Sequence, residues 1–236
     1  MFFSPLITLL VLGGGSLALG EVTTTPWIEH APGQVENWMH RHELLLNQTR
    51  LHGSTAKAVF LGDSITYRWS KLGHPVWVEH YQNRGALNYG IGGDRTENIL
   101  WRLSHGEMEK VQPKVVVLMI GTNNVSHKDN ATNIVKGVKA ILDSLHSKMP
   151  TAKVLLMSVL PRANVKYDTE IHQLNRLLSP LANQNTVFWF DLGVHFESSL
   201  AHVKAELYES DQIHISLKGY TLWQEKMEPI FSKLIQ

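Results

Sequence analysis

The sequence predicts an α/β domain: a five-stranded parallel sheet with helices on both faces. Three observations predict it. Residues 115–120 and 154–160 are apolar runs without polar alternation, which is how a strand buried on both faces reads. Longer stretches with apolar residues at helical spacing separate the strand-like runs. The runs at 58–61, 86–89 and 115–120 each end at a glycine close to polar groups. Strands alternating with helices imply parallel pairing through crossovers. Such sheets hold ligands beyond the carboxyl ends of their strands.

In chain order, residues 35–51 read as an amphipathic helix, with Trp38, His42, Leu45 and Leu46 near one face. Residues 58–61 form a short strand ending at Gly62, and 86–89 a second ending at Gly90. A helix follows over about 96–104, burying Ile99, Leu100 and Leu103. The third strand, 115–120, ends at Gly121. Residues 131–148 are helical, with Ile134, Val138, Ile141, Leu142 and Leu145 in register. The fourth strand, 154–160, is stopped by Pro161, and 167–184 is a helix that Pro180 kinks or ends. Residues 187–190 are a fifth strand ending at Asp191, and 217–234 a closing helix.

Composition bounds the chemistry. The chain has 236 residues, 22 Lys+Arg, 21 Asp+Glu and no cysteine. At about 100–200 residues per domain, that length suits one large domain. Without cysteine there is no disulfide framework, thiolate nucleophile or Cys-ligated metal. The formal charge of +1, without a basic run, argues against a nucleic-acid partner. His42-Glu43 lacks the second His of H-E-x-x-H, and residues 90–95 fail G-x-G-x-x-G at the last position. Neither metal nor other cofactor is expected.

Residues 1–20 read as a secretory signal. An uncharged apolar core at 6–12 is broken by glycines at 13–15, and Ala18 and Gly20 are the small residues of a cleavage site. The apolar run is shorter than the roughly 18–20 residues that span a bilayer. The expectation is a secreted mature domain, 21–236, with no stable membrane span. Three N-x-[ST] sequons accompany it, at Asn47, Asn124 and Asn130. Asn47 and Asn130 are the candidate glycan sites; Asn124 adjoins a candidate site residue and is not expected to carry one.

Four strand-end or loop segments could carry catalysis. Ser64 directly follows the first strand, in Gly62-Asp63-Ser64. A serine at a strand-to-helix turn presents its Oγ at the sheet rim; equally, Asp63 or Ser64 could cap a helix. A serine nucleophile needs a base and an orienting group. Asp211 and His214, three apart before the last helix, have that spacing, although either could serve a plain turn. Donors for an oxyanion are available from the Asn123 amide and from the backbone N–H groups of Gly93 and Ser64.

Together these blocks are similar to the SGNH, or GDSL-type, hydrolase superfamily: Gly62-Asp63-Ser64, Gly93 before Asp94, Gly121-Thr122-Asn123, and Asp211-x-x-His214 occur in that order. The resemblance narrows to the catalytic subunits of intracellular platelet-activating-factor acetylhydrolase. It rests on Trp38-Met39, residues 88–94, Leu100-Trp101-Arg102-Leu103, Gly106-Glu107, Pro113-Lys114, residues 121–124 and Leu160-Pro161-Arg162. It implies a flavodoxin-like α/β/α sandwich and metal-free ester hydrolysis. Ser64 would be the nucleophile, His214 the base and acid, Asp211 its orienter, with Ser64, Gly93 and Asn123 as oxyanion donors. By the same analogy Ile65 and Ile213 restrict an acyl pocket to acetyl or other short esters. The signal sequence and absent cysteines depart from the intracellular subunits, so their cytosolic regulatory partner is not carried over. A small-molecule ester, lipid or sugar, is the expected partner, and a homodimer is permitted. A carbohydrate O-deacetylase or lysophospholipase on the same triad, and a non-catalytic binding protein on this fold, are the alternatives.

Overall fold

The structure, a computed structural model, describes residues 34–236. The expected signal sequence and its cleavage point lie outside the described residues. The chain begins with α1 (Gln34–His52), then β1 (Ala58–Gly62), the short α2 (Ser64–Tyr67), α3 (His74–His80), β2 (Ala86–Gly90) and α4 (Thr96–Ser104). It continues through β3 (Val115–Met119), α5 (Thr122–Ser126), α6 (Ala131–Lys148), β4 (Lys153–Met157), α7 (Val165–Leu178) and β5 (Val187–Phe190). A hairpin of β6 (Glu197–Ser199) and β7 (His202–Val203) precedes the closing α8 (Leu217–Leu234).

The main sheet is five-stranded and parallel, in the order β2-β1-β3-β4-β5. Its two faces are filled by alternate residues, as the period-2 pleat requires. Val59, Leu61, Val116, Leu118, Val154 and Leu156 pack against α1, α4, α6 and α7. Ala58, Phe60, Val115, Val117, Leu155 and Met157 pack against α3 and α8. The expected three-layer α/β/α sandwich is therefore the observed one. Among the described residues, no helix is long and apolar enough to cross a membrane.

The chain leaves β1 toward β2 on one side and returns to β3 on the other. Strand order thus reverses at β1/β3, and a crevice opens at that switch point. Ser64 follows β1 and Asn123 follows β3, so the topology alone sets both at this crevice.

Two expectations shift. The helix expected at 167–184 starts earlier, because the Asn164 side chain accepts from Lys166 and Tyr167 N–H, and ends at Leu178 before a 3₁₀ turn containing Pro180. The fourth strand ends at Met157, three residues before the apolar run does. α3 and the β6–β7 hairpin are additions.

Gly90 shows how tightly the first turn sits on the sheet. A Cβ there would lie 2.1 Å from Tyr67 N. Gly90→Ala is expected to cost about 1–3 kcal/mol or more through overpacking. The measurement is urea unfolding, with a lower midpoint at unchanged slope; an unchanged midpoint contradicts the packing argument.

Candidate active site

The serine turn is fixed from three sides. Asp63 caps α2 by accepting from Ile65 N–H at 2.9 Å. Tyr220 of α8 donates its hydroxyl to Ile65 O at 2.7 Å. Asn88 of β2 donates to Thr66 O at 3.0 Å, while its own Oδ1 accepts from Gly90 N–H. Burial pushes the Asp63 carboxyl up to about 7, against the opposing pull of the Ile65 N–H.

The His214 loop folds around Asp211. One carboxylate oxygen, Oδ1, accepts from the N–H groups of Ile213 and His214, both at 2.9 Å. The other, Oδ2, lies 2.6 Å from His214 Nδ1. His214 Nε2 lies 2.8 Å from Ser64 Oγ. A carboxylate only accepts, so Nδ1 carries the proton; Nε2 of the neutral ring then accepts from the Ser64 hydroxyl. Burial works to raise the Asp211 carboxyl, but the His214 side chain and the two backbone N–H groups outweigh it and hold it at about 2. A second tie joins the same two segments: Arg68, just past α2, pairs with Glu209.

Asn123 sits in α5, and its Nδ2 donates to Asp94 O at 2.8 Å. Arg162 holds α5 itself, donating to Thr122 O at 2.9 Å, Thr122 Oγ1 at 2.6 Å and Ser126 Oγ at 2.9 Å. Gly93 has φ +81°, a left-handed conformation that side chains disfavour. A Cβ at the neighbouring Gly92 would stand 3.9 Å from Ser64 Cβ, so this turn faces the serine. Ser64, His214 and Asp211 are thus in one hydrogen-bonded line, and the Gly92-Gly93 turn and Asn123 are joined beside it.

Ile213 is half-buried next to His214, whereas Ile65 is 2% exposed and packs into the core beneath the serine turn. Asn47 and Asn130 are exposed. Asn124 is buried, donating to Asp129 Oδ2 at 2.9 Å and accepting from Thr96 N–H at 3.1 Å.

Two groups among the described residues have metal-ligand geometry, Asp168/His172/Glu197 and Glu209/Asp211/His214. In both, the donors are spent within the protein. Asp168 accepts from the N–H groups of Arg162 and Ala201, and His172 Nε2 lies 3.1 Å from Glu197. In the second, Glu209 pairs with Arg68, and Asp211 serves His214.

Sequence reasoning missed Arg68, Glu209 and Tyr220, and took Asn88 and Arg162 only as part of a resemblance. Their partners are distant in sequence and no local pattern records them: Asn88 and Thr66 are 22 apart, Arg68 and Glu209 141, and Tyr220 and Ile65 155.

Comparison with known proteins gives a consistent family. The GDSL-like lipase/acylhydrolase family matches residues 60–222. Human platelet-activating factor acetylhydrolase IB subunit alpha1 is 32% identical over 192 residues, covering 78% of each chain. The human alpha2 subunit is 32% identical over 219 residues, covering 89% of this chain and 91% of its own. In fold, a GDSL-like lipase from Bacteroides thetaiotaomicron superposes with a TM-score of 0.67 at 21% identity, covering 84% of this chain and 97% of the other. An acetylxylan esterase from Geobacillus stearothermophilus gives 0.61 at 17% identity, covering 78% and 95%.

The Asp211 carboxyl carries a stability prediction. Its folded value, about 2, lies below its ordinary 3.8. Its contribution is therefore complete above about pH 4 and disappears as pH falls toward 2. Denaturant unfolding of wild type and Asp211→Asn should differ by a constant amount above that window and converge within it. A difference that grows as pH falls contradicts the assignment.

Proposed function

Because the chain belongs to the GDSL-like lipase/acylhydrolase family and is a carboxylic ester hydrolase, we propose that it hydrolyses short-acyl, chiefly acetyl, esters through an acyl-enzyme on Ser64. The observation that carries this reading is the unbroken line from Asp211 through His214 to Ser64, at 2.6 and 2.8 Å. His214 Nε2 takes the Ser64 proton as Oγ attacks the ester carbonyl. Asp211 keeps the ring in the tautomer that can accept it and offsets the imidazolium charge. Gly93 N–H, Ser64 N–H and the second hydrogen of Asn123 Nδ2 receive the developing oxyanion. His214 returns its proton to the leaving alkoxide, the C–O bond breaks, and the alcohol departs. Water then attacks the acyl-enzyme by the same route, releasing the acid and restoring Ser64.

Ile213, half-buried beside His214, supports the short-acyl preference. The relatives' names point the same way, since they are an acetylhydrolase and an acetylxylan esterase. Trp38, Trp69, Trp77 and Trp223 are spent in the core, which leaves few rings for a sugar platform. Secretion of residues 21–236, with glycans on the exposed Asn47 and Asn130, completes the reading.

Ser64→Ala is expected to lower kcat on p-nitrophenyl acetate by about 10⁶, the scale of losing a triad nucleophile. Asn123→Ala should lose about 10²–10³ in kcat while remaining folded. Turnover should fall from acetate through butyrate to octanoate. Wild-type rates that survive Ser64→Ala overturn the mechanism, and efficient octanoate turnover overturns the acyl preference.

A further inference from the structure

Beneath the Gly92-Gly93-Asp94 turn runs a line of buried polar groups that the reaction above does not use. Trp38 Nε1 donates to Asp94 Oδ1 at 2.7 Å. Arg102 sets one terminal nitrogen 2.6 Å from Asp94 Oδ2 and the other 2.5 Å from Glu107 Oε2. The second nitrogen also donates to Tyr89 O at 3.1 Å. His42 Nδ1 donates to Glu107 Oε1 at 2.7 Å. Asp94, Arg102 and Glu107 are 0% exposed.

Burying three charged groups is costly, and apolar side chains of similar volume often stabilise a core as well or better. An apolar core does not, however, fix the direction of a backbone carbonyl. Asp94 is held at both carboxylate oxygens, and its main-chain carbonyl accepts from Asn123 Nδ2 at 2.8 Å. A side-chain amide nitrogen has two hydrogens. One is spent on Asp94 O, which fixes the amide plane and so the direction of the other. Asp94 also closes the turn in which Gly93 holds its left-handed conformation.

We propose that the buried line Trp38–Asp94–Arg102–Glu107–His42 is a positioning device for the oxyanion donors. It anchors the Asp94 carbonyl and, through it, the Asn123 amide and the Gly93 N–H. The inference rests on the acyl-transfer reading of the previous subsection. Trp38, Asp94 and Arg102 are positioning residues, since they act through Asn123 and Gly93.

Trp38→Phe tests it with a small perturbation: most of the ring volume stays and the donor to Asp94 Oδ1 goes. The expected result on p-nitrophenyl acetate is a kcat loss of about tenfold, the scale of one hydrogen bond to a charged group, with KM within about threefold. Asp94→Asn, which removes the charge facing Arg102, should lose more. The decisive readout is a double-mutant cycle. Trp38→Phe in the Asn123→Ala background should cost almost nothing further, because both changes act through one amide. Multiplicative losses overturn the proposal, as does a lowered melting temperature with kcat per folded enzyme unchanged. If the variants fold poorly or the wild type turns over no ester, exchange of the Asn123 side-chain amide hydrogens, followed by NMR, decides without turnover. Faster exchange in Trp38→Phe at a temperature where it is folded supports the anchoring, and unchanged exchange overturns it. Failure of the acyl-transfer reading shows separately, as a wild type that neither hydrolyses esters nor reacts with a phosphonate at Ser64.

Discussion

The site depends on how closely the serine turn rests on the ends of β1 and β2. Two glycines make that contact. A Cβ at Gly62 would stand 2.3 Å from both Met119 O and Thr66 Oγ1, and one at Gly90 would meet Tyr67 N at 2.1 Å. With no side chain at either position, backbone packs on backbone, and a pleated sheet tolerates no slip at such a contact. Ser64 is thereby fixed at the height of the strand ends, where the loops after β2 and β3 also emerge. Asn88, between these strands and the turn, donates to the Thr66 carbonyl and so ties the turn to β2.

Electrostatics divides the site into an inside and an outside. Asp63 and Asp94 are buried, and burial pushes both carboxyls up, to about 7, against the donors that face them. Their work is to hold turns. Asp211 lies at the rim, where burial still works to raise it, but the His214 side chain and the N–H groups of His214 and Ile213 outweigh that and pull it down. It therefore stays a carboxylate beside the His214 ring, which in the proposed reaction gains a proton. One amino-acid type thus does two jobs because solvent reaches one position and not the others.

The sheet was legible where burial erases polar alternation. Val115 through Met119 are all buried, so the run reads as a central strand. The helices 96–104, 131–148 and 217–234 were legible because each is long enough to repeat its apolar spacing. α2 and α5 have four and five residues, too few for any period to show. The β6–β7 hairpin is half-exposed and polar, and Ala201 N–H bonding Asp168 Oδ2 and Glu197 pairing with His172 tie it down. Ser64, Asp211 and His214 could be picked out because motif and spacing survive in a linear sequence. Arg102 entered only as part of the resemblance, without a role: charged residues ordinarily signal a surface, and only the fold shows that two carboxylates from different segments meet it at zero exposure.

α1 illustrates the limit of reading function from a family match alone. The matched segment begins at residue 60, so α1 falls outside it. Yet α1 covers the edge strand β2, whose unpaired carbonyls would otherwise invite another chain. Arg41 donates to Asn88 O and Gly90 O, each at 3.3 Å, and Gln48 donates to Asn88 O at 3.2 Å. The same helix supplies Trp38 to Asp94 and His42 to Glu107. Edge protection requires α1 to lie along β2, and that placement alone brings its inward face against the turn after β2. The docking that closes a sheet edge thus also ties α1 to the turn after β2, and under the proposed mechanism stability and catalysis draw on the same contacts.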